Sequence, residues 1–367
     1  MAGTKKIGDF NELISPFLKS KIEDLKKKFG ENSEEYNAIA KQYVKNQLES
    51  FQNSSQTTRH YQSEVTVYYD NKPITGVERL YKRTVLLEPT TVCAAHCRWC
   101  LRGQYPVKTL SDDQIELASK YFGSEELYSD VDEVLITGGD PLMSIKKLRF
   151  SLEKITENAK NIKIVRIGTR VPFQDPKRVN DAMLDLFQEY KNFRFEIGVN
   201  VNHYLEFWNE AEEALSRLNS IGLRIYNQNP LLKGVNDKFE ILVKLYEKLR
   251  NNNIEAHYLF HAIPLIGMEH HRTSLKKGYN LIRDLSSSGE FSGRSKPKYS
   301  VLSDIGKIVI YEDTIIDVNQ KDNKLLLQSG FKYESRMKWN PSWKLPKSTM
   351  IDKNGFLQTW YLDGKDD

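Results

Sequence analysis

The chain lacks a long hydrophobic run, and no window of its 367 residues approaches the roughly 18 apolar residues that a membrane-spanning helix needs. The opening segment, MAGTKKIGDF, also lacks the apolar centre of a signal peptide. These two absences predict a cytoplasmic protein with no membrane association. A composition of 39% hydrophobic and 28% charged residues predicts a folded globular chain.

A large excess of one charge sign is also missing. The 54 basic and 49 acidic residues leave a formal net charge of +5, and the lysines are scattered along the chain. Surfaces that bind nucleic acids usually concentrate basic residues on one face. We therefore expect no nucleic-acid partner.

Cysteine is the scarcest informative residue, since Cys93, Cys97 and Cys100 are the only three and they span eight positions. An odd number packed so closely excludes a disulfide framework and fits a reducing compartment. Three thiolates can hold three irons of a 4Fe-4S cluster and leave the fourth iron open to a small molecule. The alternatives are a zinc site, which would need a fourth ligand such as His96, or three unrelated structural thiols.

Short apolar segments alternate with amphipathic helical segments along the middle of the chain. Six such repeats, about 30 residues apart, favour parallel strands joined by right-handed crossovers. We predict an α/β fold, a partial (β/α)6 barrel of the TIM type, with strands in TVLLEPTTV, VDEVLITGG, IKIVRIGTR, FRFEIGVNV, LRIYNQNPLL and IEAHYLFHAI.

Three regions are predicted along the chain. Residues 1–75 form an N-terminal helical extension and linker, residues 76–290 the barrel, and residues 291–367 a β-rich C-terminal segment. Within the last region, the tail from Phe331 onward is aromatic, and we expect it to be irregular. The cysteines follow the first barrel strand, where such barrels place their chemistry.

The spacing CxxxCxxC, in VCAAHCRWCLRG, resembles that of the radical S-adenosylmethionine (SAM) superfamily. The resemblance implies that SAM binds the open iron and is cleaved reductively to a 5′-deoxyadenosyl radical. Trp99 stands where the superfamily places an aromatic residue against SAM, although a core position is equally open. The motif ITGGDPL, with Thr137, Gly138, Gly139 and Asp140, is expected to approach SAM at the end of the second strand.

Further motifs narrow the resemblance to the lysine 2,3-aminomutase family. They are CRWCLRG, TGGDPL, RIGTRVP, NQNPLLKGVND and YLFHAIPLIGMEHHRT, and the match runs from about Gly76 to about Ile310. By this resemblance Arg170, Asn200 and Gln228 are expected near SAM, with Asn200 in place of a family histidine. A bracing role for Arg166 and Arg170 at the barrel rim is an equally open alternative.

The family resemblance also implies pyridoxal 5′-phosphate (PLP), held as a Schiff base by a lysine after a glycine-rich loop. In PKYSVLSDIGKIVI the matching lysine is Lys307, although the loop is about two residues shorter and keeps one glycine of four. Arg83, in LYKRT, is expected to face the cofactor phosphate, with Arg79 upstream as the other candidate.

The substrate is expected to be a free, small-molecule amino acid, and the resemblance implies that its carboxylate pairs with Arg102. Lysine-specific members hold the far ammonium group with two aspartates, and the corresponding positions here are Ile263 and Leu302. An unpaired ammonium group would be costly there, so a substrate other than free lysine is predicted, unless Asp304 compensates.

The predicted activity is therefore that of a radical SAM isomerase, a PLP-dependent amino-acid 2,3-aminomutase. Three alternatives stay open: a radical SAM enzyme with different chemistry on a peptide or natural product, a lysine 2,3-aminomutase with a rearranged ammonium site, and a noncatalytic zinc protein. The expected partners are a reductant such as flavodoxin or ferredoxin and, as a further prediction, a second copy of the chain.

Overall fold

The computed structural model describes residues 11–50, 67–79, 81–101, 109–265, 267–291 and 293–366. Its centre is a nine-stranded sheet in which seven parallel strands follow one another in chain order. These strands are β4 (Thr84–Thr90), β5 (Glu133–Gly138), β6 (Ile164–Thr169), β7 (Arg194–Val199), β8 (Arg224–Leu231), β9 (Ile254–His261) and β10 (Lys298–Ser303).

Antiparallel strands flank the parallel set, with β3 (Val77–Glu78) beside β4 and β11 (Gly306–Val309) beside β10. Helices connect the parallel strands: α3 (Asp112–Phe122), α4 (Glu125–Tyr128), α5 (Ile145–Asn158), α6 (Val171–Gln174), α7 (Asp181–Glu189), α8 (Asn209–Ser220), α9 (Phe239–Asn251) and α10 (Leu275–Ser287). The sheet curls into a partial barrel, which confirms the predicted fold class and adds the seventh parallel strand β10.

Strand alternation determines which side chains face the lumen of this barrel. Val165 and Ile167 of β6 are fully buried in the core under the helices, so Arg166 between them faces the concave side. The lumen therefore receives polar residues from the same strands whose other face builds the hydrophobic core.

The N-terminal extension begins with α1 (Pro16–Phe29) and α2 (Glu34–Tyr43). The Ser15 and Ser33 side chains cap the two helices by accepting backbone N–H groups. Apolar residues of both helices pack around Ala95 and Cys97 of the cysteine loop. The extension is therefore part of the wall around the three thiols. A short hairpin, β1 (Val67–Tyr69) and β2 (Lys72–Ile74), precedes the barrel.

The C-terminal segment is ordered, and the prediction of an irregular tail is wrong. It forms a four-stranded antiparallel sheet from β12 (Ile315–Asn319), β13 (Lys324–Lys332), β14 (Thr349–Ile351) and β15 (Phe356–Leu362), with α11 (Tyr333–Trp339) after β13. Its buried residues Leu325, Leu327, Leu357 and Tyr361 join the barrel core. Among the described helices, none has both the length and the apolarity required to cross a bilayer.

Candidate active site

The cysteine loop follows the C-terminal end of β4, and all three thiols are partly buried. The glycine pair after β5 holds this loop by close backbone approach. Gly139 N donates to Thr90 O at 2.8 Å, and a Cβ at Gly139 would lie 2.5 Å from Val92 O. Gly138 has a φ of +115°, which side chains other than glycine rarely adopt. The glycines thus position the loop that carries the thiols.

Asp140 braces the ends of β5 and β6. Its buried carboxylate accepts the Thr169 hydroxyl at 2.8 Å and the backbone N–H groups of Arg170 and Val171 at 2.7 and 3.1 Å. Burial raises the pKa of Asp140 to about 6, although these hydrogen bonds oppose the shift. Both carboxylate oxygens of Asp140, which is predicted to approach SAM, thus accept hydrogen bonds from the protein.

Arg170 links the cysteine loop to the barrel and to the N-terminal extension. Its Nη1 donates to Cys97 Sγ at 2.9 Å, and its Nη2 donates to Glu206 Oε2 at 2.6 Å. The guanidinium lies 5.2 Å from the Tyr43 ring centroid and 5.4 Å from that of Trp99. Burial would lower the pKa of Arg170, but Cys97, Tyr43 and Glu206 outweigh it and raise the pKa. Arg170 is therefore a permanently charged brace.

Glu206 is the buried anion on which this network converges. Its carboxylate accepts the Tyr43 hydroxyl at 2.9 Å, the Gln42 amide at 3.3 Å and the Asn202 backbone N–H at 2.9 Å, besides Arg170. Two of these donors belong to α2. A second buried pair, Arg98 with Glu49, also joins the cysteine loop to the extension. The N-terminal helices thus hold the loop through polar as well as apolar contacts.

The residues around the thiols fit a 4Fe-4S cluster with SAM. Cys97 Sγ receives N–H donors from Arg170 and, at 3.5 Å, from Gln174, as metal-bound thiolates commonly do. Two buried polar atoms nearby, Trp99 Nε1 and Arg170 Nε, have no hydrogen-bond partner among the described residues, and neither has Asn200 Oδ1, directly after β7. Buried polar atoms usually have partners, so a polar ligand at this rim would satisfy them.

The zinc alternative gains no support from the geometry. Within the described ranges, no three His, Cys, Asp or Glu side chains converge to hold a single metal ion. The His96 ring lies with Nδ1 at 2.8 Å from the carbonyl oxygen of Asn11 in the extension. Burial, together with Cys100, Asp140 and Cys97, raises the pKa of the Cys93 thiol, and a bound metal cation would favour its thiolate form.

Two further predicted SAM residues lie on barrel strands. Thr137 of β5 approaches β6 closely, because a Cβ at Gly168 would lie 3.0 Å from Thr137 Oγ1. Gln228 of β8 is partly exposed and pairs in register with Tyr258 of β9, next to an irregularity in the ladder. Their roles toward SAM stay predictions.

Lys307 lies inside an aromatic box. Its Nζ is 4.9 Å from the ring centroid of Tyr258, 5.3 Å from that of Phe260 and 5.8 Å from that of Tyr81. Within the described part of the chain, no carboxylate forms an ion pair with it. Burial, together with the nearby charge of Arg166, lowers the pKa of Lys307 to about 8, while Glu133 opposes the shift. A half-buried amine with a lowered pKa fits the aldehyde of PLP.

The short loop before Lys307 is a tight hairpin. Ser303 of β10 pairs with Gly306 of β11, which leaves Asp304 and Ile305 as a two-residue turn. Gly306 has a φ of +110°, a value that favours glycine. One glycine therefore suffices where the family pattern has four.

The segment before β4 reaches Lys307 through Tyr81 and not through Arg83. The Arg83 side chain is 68% exposed and pairs with Asp132. The structure therefore does not place the predicted phosphate ligand in the lumen. Arg79 is buried but faces Glu126 and Asp130. Arg102, predicted to bind the substrate carboxylate, lies outside the described residues.

The three residues predicted for the far end of the substrate line one cavity. Ile263, Leu302 and Asp304 border a space of about 310 Å³ between the β10–β11 hairpin and the C-terminal sheet. Leu302 pairs directly with Lys307, so the two side chains share one face of the hairpin. Asp304 accepts the Ser348 hydroxyl at 2.7 Å. Lys324 and Lys347 also border the cavity.

Comparison with known proteins agrees with this geometry. The sequence profile of the radical SAM superfamily matches residues 87–246, from β4 into α9. A putative L-lysine 2,3-aminomutase from Aquifex aeolicus is 35% identical over 281 residues, which cover 73% of both chains. An L-lysine 2,3-aminomutase from Methanococcus maripaludis is 31% identical over 233 residues. The aligned part covers 63% of this chain and 53% of that relative.

Among solved structures, a radical SAM methyltransferase from Sphaerobacter thermophilus matches 65% of this chain and 69% of its own. The TM-score is 0.46 at 15% identity, which is too low to add to the assignment. The sequence relationships decide it. The chain belongs to the lysine 2,3-aminomutase family of the radical SAM superfamily.

Proposed function

We propose that the chain is a radical SAM, PLP-dependent 2,3-aminomutase that acts on an amino acid other than free lysine. The observation that supports this most is Lys307, a half-buried amine in an aromatic box with a pKa lowered to about 8. The L-lysine 2,3-aminomutase relatives support the reaction class.

At the cysteine end, Cys93, Cys97 and Cys100 would hold three irons of the cluster. The cluster and SAM, when bound, supply a 5′-deoxyadenosyl radical that abstracts a hydrogen atom from the substrate. Arg170 and Gln174 donate to Cys97 Sγ and fix the orientation of that ligand. An electron from a flavodoxin or ferredoxin would start the reaction in the cytoplasm.

At the other end, Lys307 supplies the amine to which the PLP aldehyde attaches. A pKa of about 8 leaves about a quarter of this amine neutral at pH 7.5, against about 0.1% for an ordinary lysine. The rings of Tyr258 and Phe260 stabilise the remaining ammonium without accepting its proton. PLP supplies the π system that lets an amino group shift between adjacent carbons.

The proposed substrate class depends on Ile263 and Leu302. An ammonium group against these apolar side chains would cost several kcal/mol without a partner. Two lysines and two carboxylates also border the same cavity, namely Lys324, Lys347, Asp304 and Asp322. A cationic side chain is therefore disfavoured only by the apolar pair. An apolar, aromatic or differently polar amino acid suits the cavity better, with Arg102 as the proposed partner of its carboxylate.

A second candidate is lysine 2,3-aminomutation with a rearranged ammonium site. Asp304 favours it, because this carboxylate borders the same cavity as Ile263 and Leu302. The two candidates differ in one outcome, the response to free lysine.

The test is anaerobic incubation of reconstituted protein with dithionite, SAM, PLP and a panel of amino acids. We expect 5′-deoxyadenosine that depends on one amino acid other than lysine and on PLP, together with the β-isomer of that amino acid. Lysine as the sole trigger would select the second candidate. Formation that is indifferent to PLP and to Lys307→Ala would contradict both and indicate a different radical reaction.

A further inference from the structure

A continuous row of rings connects Lys307 to Arg166 across the barrel lumen. The Tyr258 ring lies 4.9 Å from Lys307 Nζ, and the His257 ring lies 4.2 Å from that of Tyr258. The Tyr226 ring follows at 5.2 Å from His257, with the Arg166 guanidinium 5.5 Å from its centroid. The two cations thus occupy opposite ends of one aromatic wall.

Arg166 is fixed in place by two hydrogen bonds. Its Nη1 donates to Glu133 Oε1 at 2.6 Å, and its Nε donates to the Tyr226 hydroxyl at 2.8 Å. Its Nη2 makes no hydrogen bond to the part of the chain that the structure describes. The side chain is 17% exposed, and strand alternation turns it toward the lumen. One guanidinium edge is therefore preoriented and available to a ligand.

The nearest charges leave this part of the lumen positive. Lys307 and Arg166 contribute two positive charges when both are ionised, and Glu133 contributes one negative charge. Glu196, in register with Arg166, contributes a second negative charge, which the exposed Arg194 and Arg224 offset. His257 stays neutral at physiological pH, because burial and the nearby Lys307, Arg166 and Lys298 lower its pKa to about 4. A lumen of this kind favours an anion, and a guanidinium is well suited to phosphate oxygens.

We propose that Arg166 is the phosphate anchor of PLP, with Nη2 donating to the phosphate while the cofactor's aldehyde end meets Lys307 along the ring wall. This inference rests on the proposed function, since it requires PLP at Lys307. It assigns to Arg166 a role different from the rim or SAM contact that the sequence suggests.

The other arginines near this region have different surroundings. Arg83 is exposed beside Asp132. Arg336 is buried, but its guanidinium lies 4.6 Å from the Trp343 ring centroid and its Nη2 donates to Ile305 O, on the side of β11 toward which a Cβ of Gly306 would point. Lys307 occupies the neighbouring position of that strand and therefore faces the other way. The Arg336 charge acts on Tyr81 of the aromatic box, whereas Arg166 is the cation that lowers the pKa of Lys307.

The test compares PLP with pyridoxal, which has the same aldehyde and lacks the phosphate. Binding to the full chain with its cluster is followed by absorbance titration, and by borohydride reduction with peptide mapping at Lys307. For the wild type we expect a preference for PLP of 100-fold or more. Arg166→Gln should reduce this preference about 10- to 100-fold, chiefly by weakening PLP binding, and Arg166→Lys should restore part of it.

Arg83→Ala is the matched control and should keep the wild-type preference. Because Arg166→Gln leaves Glu133 without its partner, the double variant Arg166→Gln with Glu133→Gln serves as a folding safeguard and should show the same loss of preference. In the wild type, inorganic phosphate should compete with the binding of PLP and should leave the binding of pyridoxal unchanged.

If both variants that carry Arg166→Gln keep the wild-type preference for PLP over pyridoxal, the assignment of Arg166 is overturned and the proposed function is not. Absence of any cofactor at Lys307 in the wild type would overturn the proposed function as well. The two failures are therefore distinguishable by a single titration of the wild type.

Discussion

The two ends of the site each contain a cation, Arg170 buried and Lys307 half-buried, and the surroundings of the two cations differ. Arg170 is surrounded by partners, with a thiol at 2.9 Å and the Glu206 carboxylate at 2.6 Å. Lys307 has three aromatic rings within about 6 Å of its Nζ and no carboxylate bonded to it among the described residues. The surroundings of Arg170 stabilise its positive charge, whereas those of Lys307 favour loss of a proton from its ammonium group.

This contrast follows from the tasks of the two residues. Burial penalises a charge, and a paired anion compensates the penalty, whereas aromatic rings compensate little of it. Arg170 can therefore orient a metal ligand at any ordinary pH. Lys307 can release a proton and act as a nucleophile. The chain thus builds a permanent brace and a reactive amine from the same class of side chain.

The largest effect is predicted for the loss of a cysteine at the metal-binding end of the site. Cys97→Ala should abolish the cluster and SAM cleavage, because it deletes one of three ligands and the sulfur that Arg170 contacts. Iron and sulfide analysis after anaerobic reconstitution measures the loss. His96→Ala is the control and should retain the cluster; loss of iron in that variant would revive the zinc-type site.

The next effect breaks the brace while the thiols remain. Glu206→Gln should lower the free energy of unfolding by about 3–5 kcal/mol, because it leaves Arg170 buried without its carboxylate. Urea denaturation of the apoprotein measures it. Glu189→Gln, at the exposed pair with Arg149, is the control and should change stability far less. Equal stability of both variants would show that the Arg170 network is not a brace.

The smallest effect concerns pH at the Lys307 end. The folded-state pKa of about 8 lies below the ordinary lysine value of 10.5, so the neutral amine becomes available as the pH rises through 8. The rate of PLP attachment should rise with a midpoint near pH 8 and then level off. N-acetyl-lysine amide is the reference amine. A midpoint near 10.5 in the protein would mean that the aromatic box does not tune this lysine.

Much of the barrel could be predicted because its strands are local and bounded by turn signals. Each of the six predicted strands overlaps an observed one, from β4 to β9. The tail was misjudged for a physical reason. In β15 only Leu357, Thr359 and Tyr361 face the core, and their burial depends on pairing with β13, which lies some 30 residues earlier.

The candidate site, too, could be predicted where its residues are close in sequence and not where they are far apart. The three cysteines are adjacent in sequence, so their spacing alone indicated the cluster. The partners of Arg170 could not be read from the sequence, because Gln42 and Tyr43 lie 128 and 163 residues from the side chains they bond, Arg170 and Glu206. Tyr81 was not predicted, because the expected partner of the cofactor phosphate in that segment was an arginine. Its position two residues before Arg83 was the available signal.

The central claim is that Lys307 is the covalent attachment point of PLP in a radical SAM barrel. The direct test is reduction of the PLP-reconstituted protein with borohydride, followed by mass spectrometry of its peptides. The account predicts a pyridoxyl phosphate adduct on Lys307 and none in Lys307→Ala. An adduct on another lysine, or no adduct after PLP loading of the wild type, would contradict it.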